Sequence, residues 1–76
     1  MTINSLKDGE CGIITHLNVD DKVLDRLLSF GIIKDKQIKR VKSTLGGSTI
    51  LVELDRNCIA LRAEEAESIA IKRVEV

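Results

Sequence analysis

The sequence is poor in aromatic residues: Phe30 is alone, and Trp, Tyr and Pro are absent. A hydrophobic core must therefore be built from Ile, Leu and Val, and the β-branched residues of that set favour strands. The shortage also removes the stacking platforms on which single-stranded nucleic-acid binders place the bases. We expect a small β-rich fold with an aliphatic core.

An excess of charge of one sign is also lacking, since 12 basic and 12 acidic side chains give a formal net charge of zero. Non-specific nucleic-acid binding needs surplus Lys and Arg to neutralise phosphates. No nucleic acid is therefore expected as a partner, although a small-barrel nucleic-acid-binding module remains an alternative. No apolar run approaches the about 20 residues that span a bilayer, and no leader pattern opens the chain. We expect one soluble, cytoplasmic domain over residues 1–76.

Metal-ligating residues are few: Cys11, Cys58 and His16 are the only cysteines and histidine. In a cytoplasmic chain the two thiols stay reduced. Within an unbroken strand Cys11 and His16 point to opposite faces, unless a bulge at Gly12 reverses the alternation. The three residues fall short of the four ligands of a structural zinc site. They are weak metal candidates, so no cofactor is expected, and transient transition-metal binding by a weak metal carrier remains an alternative.

No catalytic pattern is present. The single histidine has no Ser or Cys partner at a defined spacing, and the Gly46-Gly47 pair lacks the Lys-Ser/Thr that completes a phosphate-binding loop. We expect that the protein is not an enzyme.

Short apolar alternations predict about five strands. The clearest is 49–54, where Ile50, Val52 and Leu54 share one face. Ile38 and Val41 are three residues apart, which predicts a bulge or an exposed Val41 because one face requires a spacing of two. The predicted strands are 11–17, 36–42, 49–54, 58–61 and 69–74, with a tight hairpin at 55–57.

One helix is predicted between the first two strands. Asp20 or Asp21 can cap its N-terminus, Leu24, Leu27 and Leu28 form an apolar stripe, and Gly31 suits the left-handed residue that ends a helix. Residues 62–68 have helical propensity for only about one turn. The element order predicts a mainly β fold with one inserted helix, in a small, partly closed β-barrel.

Three surfaces are candidates for binding a partner protein. Lys34, Lys36, Arg40 and Lys42 share a parity and would line one face of an extended chain as a docking stripe. The loop Leu45-Gly46-Gly47-Ser48 carries an apolar residue beside paired glycines and could insert into a partner. The third candidate is the helix stripe Leu24, Leu27 and Leu28, which is either core or partly open as a cleft.

The order and spacing of these features resemble the FeoA family (ferrous iron transport protein A). The matching stretches are Leu6-(x)2-Gly9-Glu10-x-Gly12-Ile13-Ile14, Leu24-(x)2-Leu27-Leu28-(x)2-Gly31-Ile32, Ile38, Leu45-Gly46-Gly47-Ser48 and Ile59-Ala60-Leu61-Arg62-(x)3-Ala66-(x)2-Ile69. The resemblance covers the chain from about Leu6 to Val74. Two departures concern turns: Lys34-Asp35-Lys36 stands where the family commonly has Pro-Gly, and Thr44 stands where it often has Pro.

The resemblance implies an SH3-like barrel and an accessory role in bacterial ferrous iron uptake. It implies docking on the cytoplasmic GTP-binding part of a FeoB-type membrane transporter, without catalysis. The protein would then be peripheral to the membrane through its partner. Self-association is left open.

Overall fold

The computed structural model describes residues 1–74, and of Leu45 the backbone alone. Five strands form one antiparallel sheet in the order β4-β3-β2-β1-β5. The strands are β1 Cys11–Leu17, β2 Gln37–Thr44, β3 Thr49–Leu54, β4 Asn57–Arg62 and β5 Ile69–Arg73; the helices are α1 Asp21–Ser29 and α2 Ala63–Glu67. Short 3-10 turns cover Ile3–Ser5 and Leu45–Gly47. The predicted mainly β fold is confirmed, and its barrel is open, because β4 and β5 are the two sheet edges and do not pair.

The core lies on one face of the sheet and is aliphatic. Ile50, Val52 and Leu54 are at most 3% exposed, which confirms the predicted alternation of β3. Other strands, both helices and the N-terminal turn complete this core. Its remaining members are Ile3, Leu6, Ile14, Leu27, Ile32, Ile38, Leu61, Ala66, Ile69 and Ile71.

Helix α1 begins and ends where the sequence predicts. The carboxylate of Asp20 accepts a hydrogen bond from the Val23 N–H at 3.0 Å, satisfying one of the N–H groups that a helix start leaves free. At the other end Gly31 has a φ of +83°, which is easy only without a Cβ. One residue on, Ile32 donates its N–H to the Leu27 carbonyl at 3.1 Å. This Schellman end turns Ile32 into the core beside Leu27.

Both bulge predictions concern the sheet register. The register of β2 against β3 shifts between Arg40 and Lys42, which confirms the bulge predicted from the spacing of Ile38 and Val41. At Gly12 there is a close approach instead of a bulge, since a Cβ there would lie 2.6 Å from Ile71 Cδ1. The register shift of β1 falls further on, between Ile14 and His16.

The two sheet edges differ in what lies beside them. Along β5, Ala70 bridges to Thr2, and the Ile71 N–H donates to the Met1 carbonyl at 2.9 Å. The N-terminal residues therefore cover part of that edge. Along β4, the register is unbroken and β3 is the only strand neighbour within residues 1–74. Within residues 1–74, no helix is long and apolar enough to cross a membrane.

Candidate functional site

Exposed apolar side chains concentrate at the end of α1. Leu28, Phe30 and Ile33 are 42%, 41% and 38% exposed, and among the side chains described in the structure the only other large apolar one so exposed is Met1. We call these three residues the helix-end cluster. The Schellman end explains it: because Ile32 turns into the core, its neighbours on either side of the turn point outward. Apolar groups gathered at one place on a surface are typical of a binding site.

A groove separates Phe30, one member of the helix-end cluster, from the unpaired edge of the sheet. Ser29 and Phe30 form one wall and residues 57–60 of β4 the other, and the space between them is about 420 Å³. On the β4 wall Ile59 is half-buried, while Cys58 and Ala60 are exposed. We call it the β4 groove. It is a concave surface of mixed polarity, bounded by a helix end and a sheet edge.

The ring of Phe30 lies beside Arg26, which belongs to α1. Arg26 lies over it, with the guanidinium carbon 6.0 Å from the ring centroid, at the outer limit of a cation–π contact. The same guanidinium donates to a carboxylate oxygen of Glu65 at 2.7 Å, and Glu65 is only 8% exposed. A buried carboxylate on α2 is therefore paired with a cation on α1 that also lies beside Phe30.

The predicted helix stripe is split by the fold. Leu27 is fully buried, Leu24 is half-buried, and Leu28 belongs to the helix-end cluster. Core and open surface thus both occur within one stripe. Whether Leu28 contacts a partner stays a prediction.

The basic residues do not form the single stripe that shared parity predicted. The bulge between Arg40 and Lys42 interrupts the alternation, and Lys42 pairs across the sheet with Leu51. Lys36 reaches sideways to Asp55 at 2.8 Å, while Lys34 lies in the turn before β2.

Arg40 is turned away from the surface. Its side chain is 15% exposed and donates to the carbonyls of Asn4 and Leu6 at 3.2 and 2.8 Å. Its Nε lies 3.3 Å from a carboxylate oxygen of Asp8. Arg40 therefore ties the N-terminal segment to the sheet, a role that the charge pattern of the sequence could not show.

The glycine loop forms a tight turn between β2 and β3. Gly46 and Gly47 have φ values of +68° and +92°, and both are exposed, as is Ser48. The side chain of Leu45, on which the loop prediction depends, lies outside the described part of the structure. The loop remains a predicted contact surface.

The candidate metal ligands are brought to one face of the sheet but not to one place. The bulge in β1 puts Cys11 and His16 on the same face, yet five residues of strand separate them by about 16 Å. Cys58 lies three strands away from Cys11, in a row that runs through Lys39 and Glu53, so about 14 Å of sheet separates the two residues. Both thiols are free. Among residues 1–74, no three His, Cys, Asp or Glu side chains are grouped to hold a metal ion.

Sequence reasoning missed Phe30, Ile33 and the β4 wall as surface features. Two signals were available. The only aromatic residue stands at the end of a helix, directly before its terminating glycine, and Ile32 and Ile33 are adjacent, so both cannot face one core. The open edge of β4 could not be found, because it depends on which strands fail to pair.

Comparison with known sequences gives consistent matches over the whole length. The family model described as the FeoA domain matches residues 1–73. A protein of Campylobacter jejuni, named for a proposed role as Fe(2+) transport protein A, is 47% identical over 74 residues, covering 97% of this chain and all of the relative. A protein of Helicobacter pylori with the same name is 34% identical over 73 residues, covering 95% of this chain and 94% of the relative.

Solved structures match in fold. The solution structure of the FeoA protein from Chlorobium tepidum superposes with a TM-score of 0.92 at 24% identity, covering 99% of this chain and 71% of that one. A manganese-dependent transcriptional repressor contains the same fold over 36% of its length, with a TM-score of 0.87, 19% identity and 96% of this chain covered. The sequence matches, supported by these folds, establish that the chain belongs to the FeoA domain family.

Proposed function

We propose that this protein is a non-enzymatic, cytoplasmic accessory protein of ferrous iron uptake, which docks through the β4 groove on the cytoplasmic GTP-binding part of a FeoB-type membrane transporter. Family membership supports the link to ferrous iron transport. The observation that carries the docking site is the exposed Phe30 of the helix-end cluster, which faces the unpaired edge of β4 across the groove. Iron is then the cargo of the partner.

Docking is a better use of this surface than chemistry. The groove walls offer Phe30, Ile59 and the small residues Cys58 and Ala60, with no pair of ionisable groups placed to exchange a proton. Such a lining fits a protein segment that covers apolar area. The balanced charge of the whole chain also suits a protein partner.

Docking affects transport only if this protein binds different conformations of the transporter with different affinities. A protein that binds one conformation of the transporter better than another shifts their populations, whereas equal binding to both shifts nothing. The proposal therefore requires that the affinity of this protein differ between conformational states of the transporter.

The test is a calorimetric titration of the transporter's purified cytoplasmic GTP-binding domain with the full chain. Phe30→Asp places a charge in the groove wall, and burying it on docking is costly, so we expect at least about tenfold weaker binding. Phe30→Leu, the matched control, keeps an apolar wall and should bind within about threefold of the parent. Equal affinity of all three proteins would remove the groove from the proposal.

The loop prediction is tested in the same titration. Leu45→Asp should weaken binding only if the glycine loop also contacts the partner, with thermal unfolding nearly unchanged. Unchanged binding by Leu45→Asp, together with weakened binding by Phe30→Asp, assigns docking to the β4 groove alone.

A further inference from the structure

Within residues 1–74, the outer edge of β4 presents backbone groups without a strand partner. The Ala63 N–H donates to the Ser48 carbonyl at 3.0 Å, which fixes the alternation of the β3–β4 ladder. In an antiparallel pair, successive residues alternate between bonding to the partner and pointing their N–H and C=O away from it. The odd-numbered residues of 57–61 therefore bond to β3, and Cys58 and Ala60 direct their backbone groups outward, along the rim of the groove.

Nothing in the sequence of this strand protects the edge. Natural edge strands are usually guarded by Lys, Pro, a bulge or a covering segment. Residues 57–61 contain none of these residues, and their register is unbroken. Only at the end of the strand is an outward group satisfied internally, where the Arg62 N–H donates to a carboxylate oxygen of Glu65 at 3.0 Å.

We propose that an extended segment of the transporter binds along β4 as a sixth strand. The inference rests on the proposed docking function and specifies its geometry. Backbone groups of the segment would bond to those of Cys58 and Ala60, and one apolar side chain would enter the groove against Phe30. In this mode of recognition main-chain hydrogen bonds supply affinity, and pockets for alternate side chains supply specificity.

Charge defines the ends of the segment. Arg56 lies just before β4 and Arg62 at its end, both exposed, and no charged residue lies between them. A segment with an apolar centre and acidic flanks complements this arrangement. Of the acidic residues near the strand, Asp55 is paired with Lys36, and Glu53 lies across from Cys58 on β3, away from the outer edge.

The extent of the edge favours a segment over a second copy of this chain. β4 is six residues long, or about 20 Å. Pairing two such edges buries well under the about 1,200 Å² at the lower limit of stable interfaces. A tethered segment of a membrane protein needs only moderate affinity, which a short added strand beside a groove can supply.

The test is amide hydrogen exchange on the full, isotope-labelled chain, alone and with the transporter's cytoplasmic GTP-binding domain or overlapping synthetic peptides from its cytoplasmic segments. We expect the amides of Cys58 and Ala60 to exchange freely alone and at least about tenfold more slowly in the complex. Ala60→Pro removes one outward N–H without touching the β3 ladder, and should weaken binding roughly tenfold. Ala60→Thr keeps the N–H, so it should weaken binding less than Ala60→Pro does.

The outcomes separate the two proposals. Binding that Phe30→Asp abolishes, with unprotected amides at 58 and 60 and no effect of Ala60→Pro, keeps the docking function and overturns strand addition. Absence of any binding overturns the docking function. Protection that rises with the concentration of the chain alone overturns the transporter segment in favour of a second copy. If Ala60→Pro lowers the unfolding temperature, its weaker binding could reflect lost stability. Protection of the amides of Cys58 and Ala60 in the parent protein then decides whether strand addition occurs.

Discussion

The two edges of the sheet differ in whether another segment of the chain covers them. Along β5 the chain covers its own edge: Thr2 bridges to Ala70, and Ile3 is buried beside it. Along the outer edge of β4 no strand of residues 1–74 pairs, and the exposed Phe30 lies across the groove from it. Both edges have the same need for backbone partners.

The difference separates an edge that contributes to stability from an edge that is available for binding. The β5 side is closed by N-terminal residues that also belong to the core, so changes there act on stability. The β4 side contributes little core beyond Leu61 and the half-buried Ile59, so changes on its rim can act on binding alone. Four substitutions test this division, from the largest effect on stability to the smallest.

Ile3→Ala should have the largest effect. Ile3 is completely buried, and truncating a buried Ile costs about 2–4 kcal/mol through lost transfer energy and the cavity left behind. In a domain this small that is a large share of the total stability. Urea unfolding measures the loss, with Ile3→Val, at about 1 kcal/mol, as the matched control. A loss below that of Ile3→Val would show that the N-terminal cover is not structural.

Gly12→Ala should cost about 1–3 kcal/mol by overpacking the contact between β1 and β5. The added Cβ would meet Ile71 Cδ1 at 2.6 Å and Ile71 Cβ at 3.2 Å. Ile71→Val removes the closer atom, so the double variant should be more stable than the sum of the single changes predicts. Thermal unfolding of the parent, the two single variants and the double variant gives the coupling energy between Gly12 and Ile71. Strictly additive changes in stability would contradict the contact.

Phe30→Ala should cost about 1–2 kcal/mol, less than Ile3→Ala, because Phe30 is 41% exposed and burial counts only for area removed from water. The same substitution should weaken binding of the transporter's GTP-binding domain by at least about tenfold. Unfolding and binding are both measured for Phe30→Ala and for Ile3→Ala, and the two variants are compared in each. A large stability loss would move Phe30 to the structural side of the division.

Asp35→Gly should have the smallest effect on stability and the opposite sign. Asp35 has a φ of +73°, a conformation that a residue with a Cβ adopts at a cost of about 1 kcal/mol and an Asp somewhat less. The substitution touches neither edge, so it should raise the unfolding temperature slightly and leave binding unchanged. Asp35→Ala, the control, should not stabilise.

Local patterns in the sequence predict most of the fold. Alternation in β3, the Asp20 cap and Gly31 after α1 are properties of neighbouring residues, and each appears where expected. Asp35 shows how the chain replaces the family's Pro-Gly: its own left-handed backbone makes the turn, and its N–H donates to the Ile14 carbonyl at 2.7 Å.

Long-range pairing explains what the sequence could not predict. Arg40 shares a parity with Lys36, yet its guanidinium turns inward because carbonyls from the N-terminal turn lie there. Leu28 shares a stripe with Leu27, yet Leu28 is exposed and Leu27 is buried. The β4 groove lies along a sheet edge, and which strand forms an edge depends on pairing between distant segments.

The central claim is that the bare edge is the docking surface, and one measurement tests it most directly. The isotope-labelled chain is titrated with the transporter's cytoplasmic GTP-binding domain while its amide resonances are followed. The account predicts that the largest shifts fall in residues 28–33 and 57–60. Shifts confined to the covered edge, at residues 1–3 and 69–73, or to the glycine loop at 45–48, would contradict it.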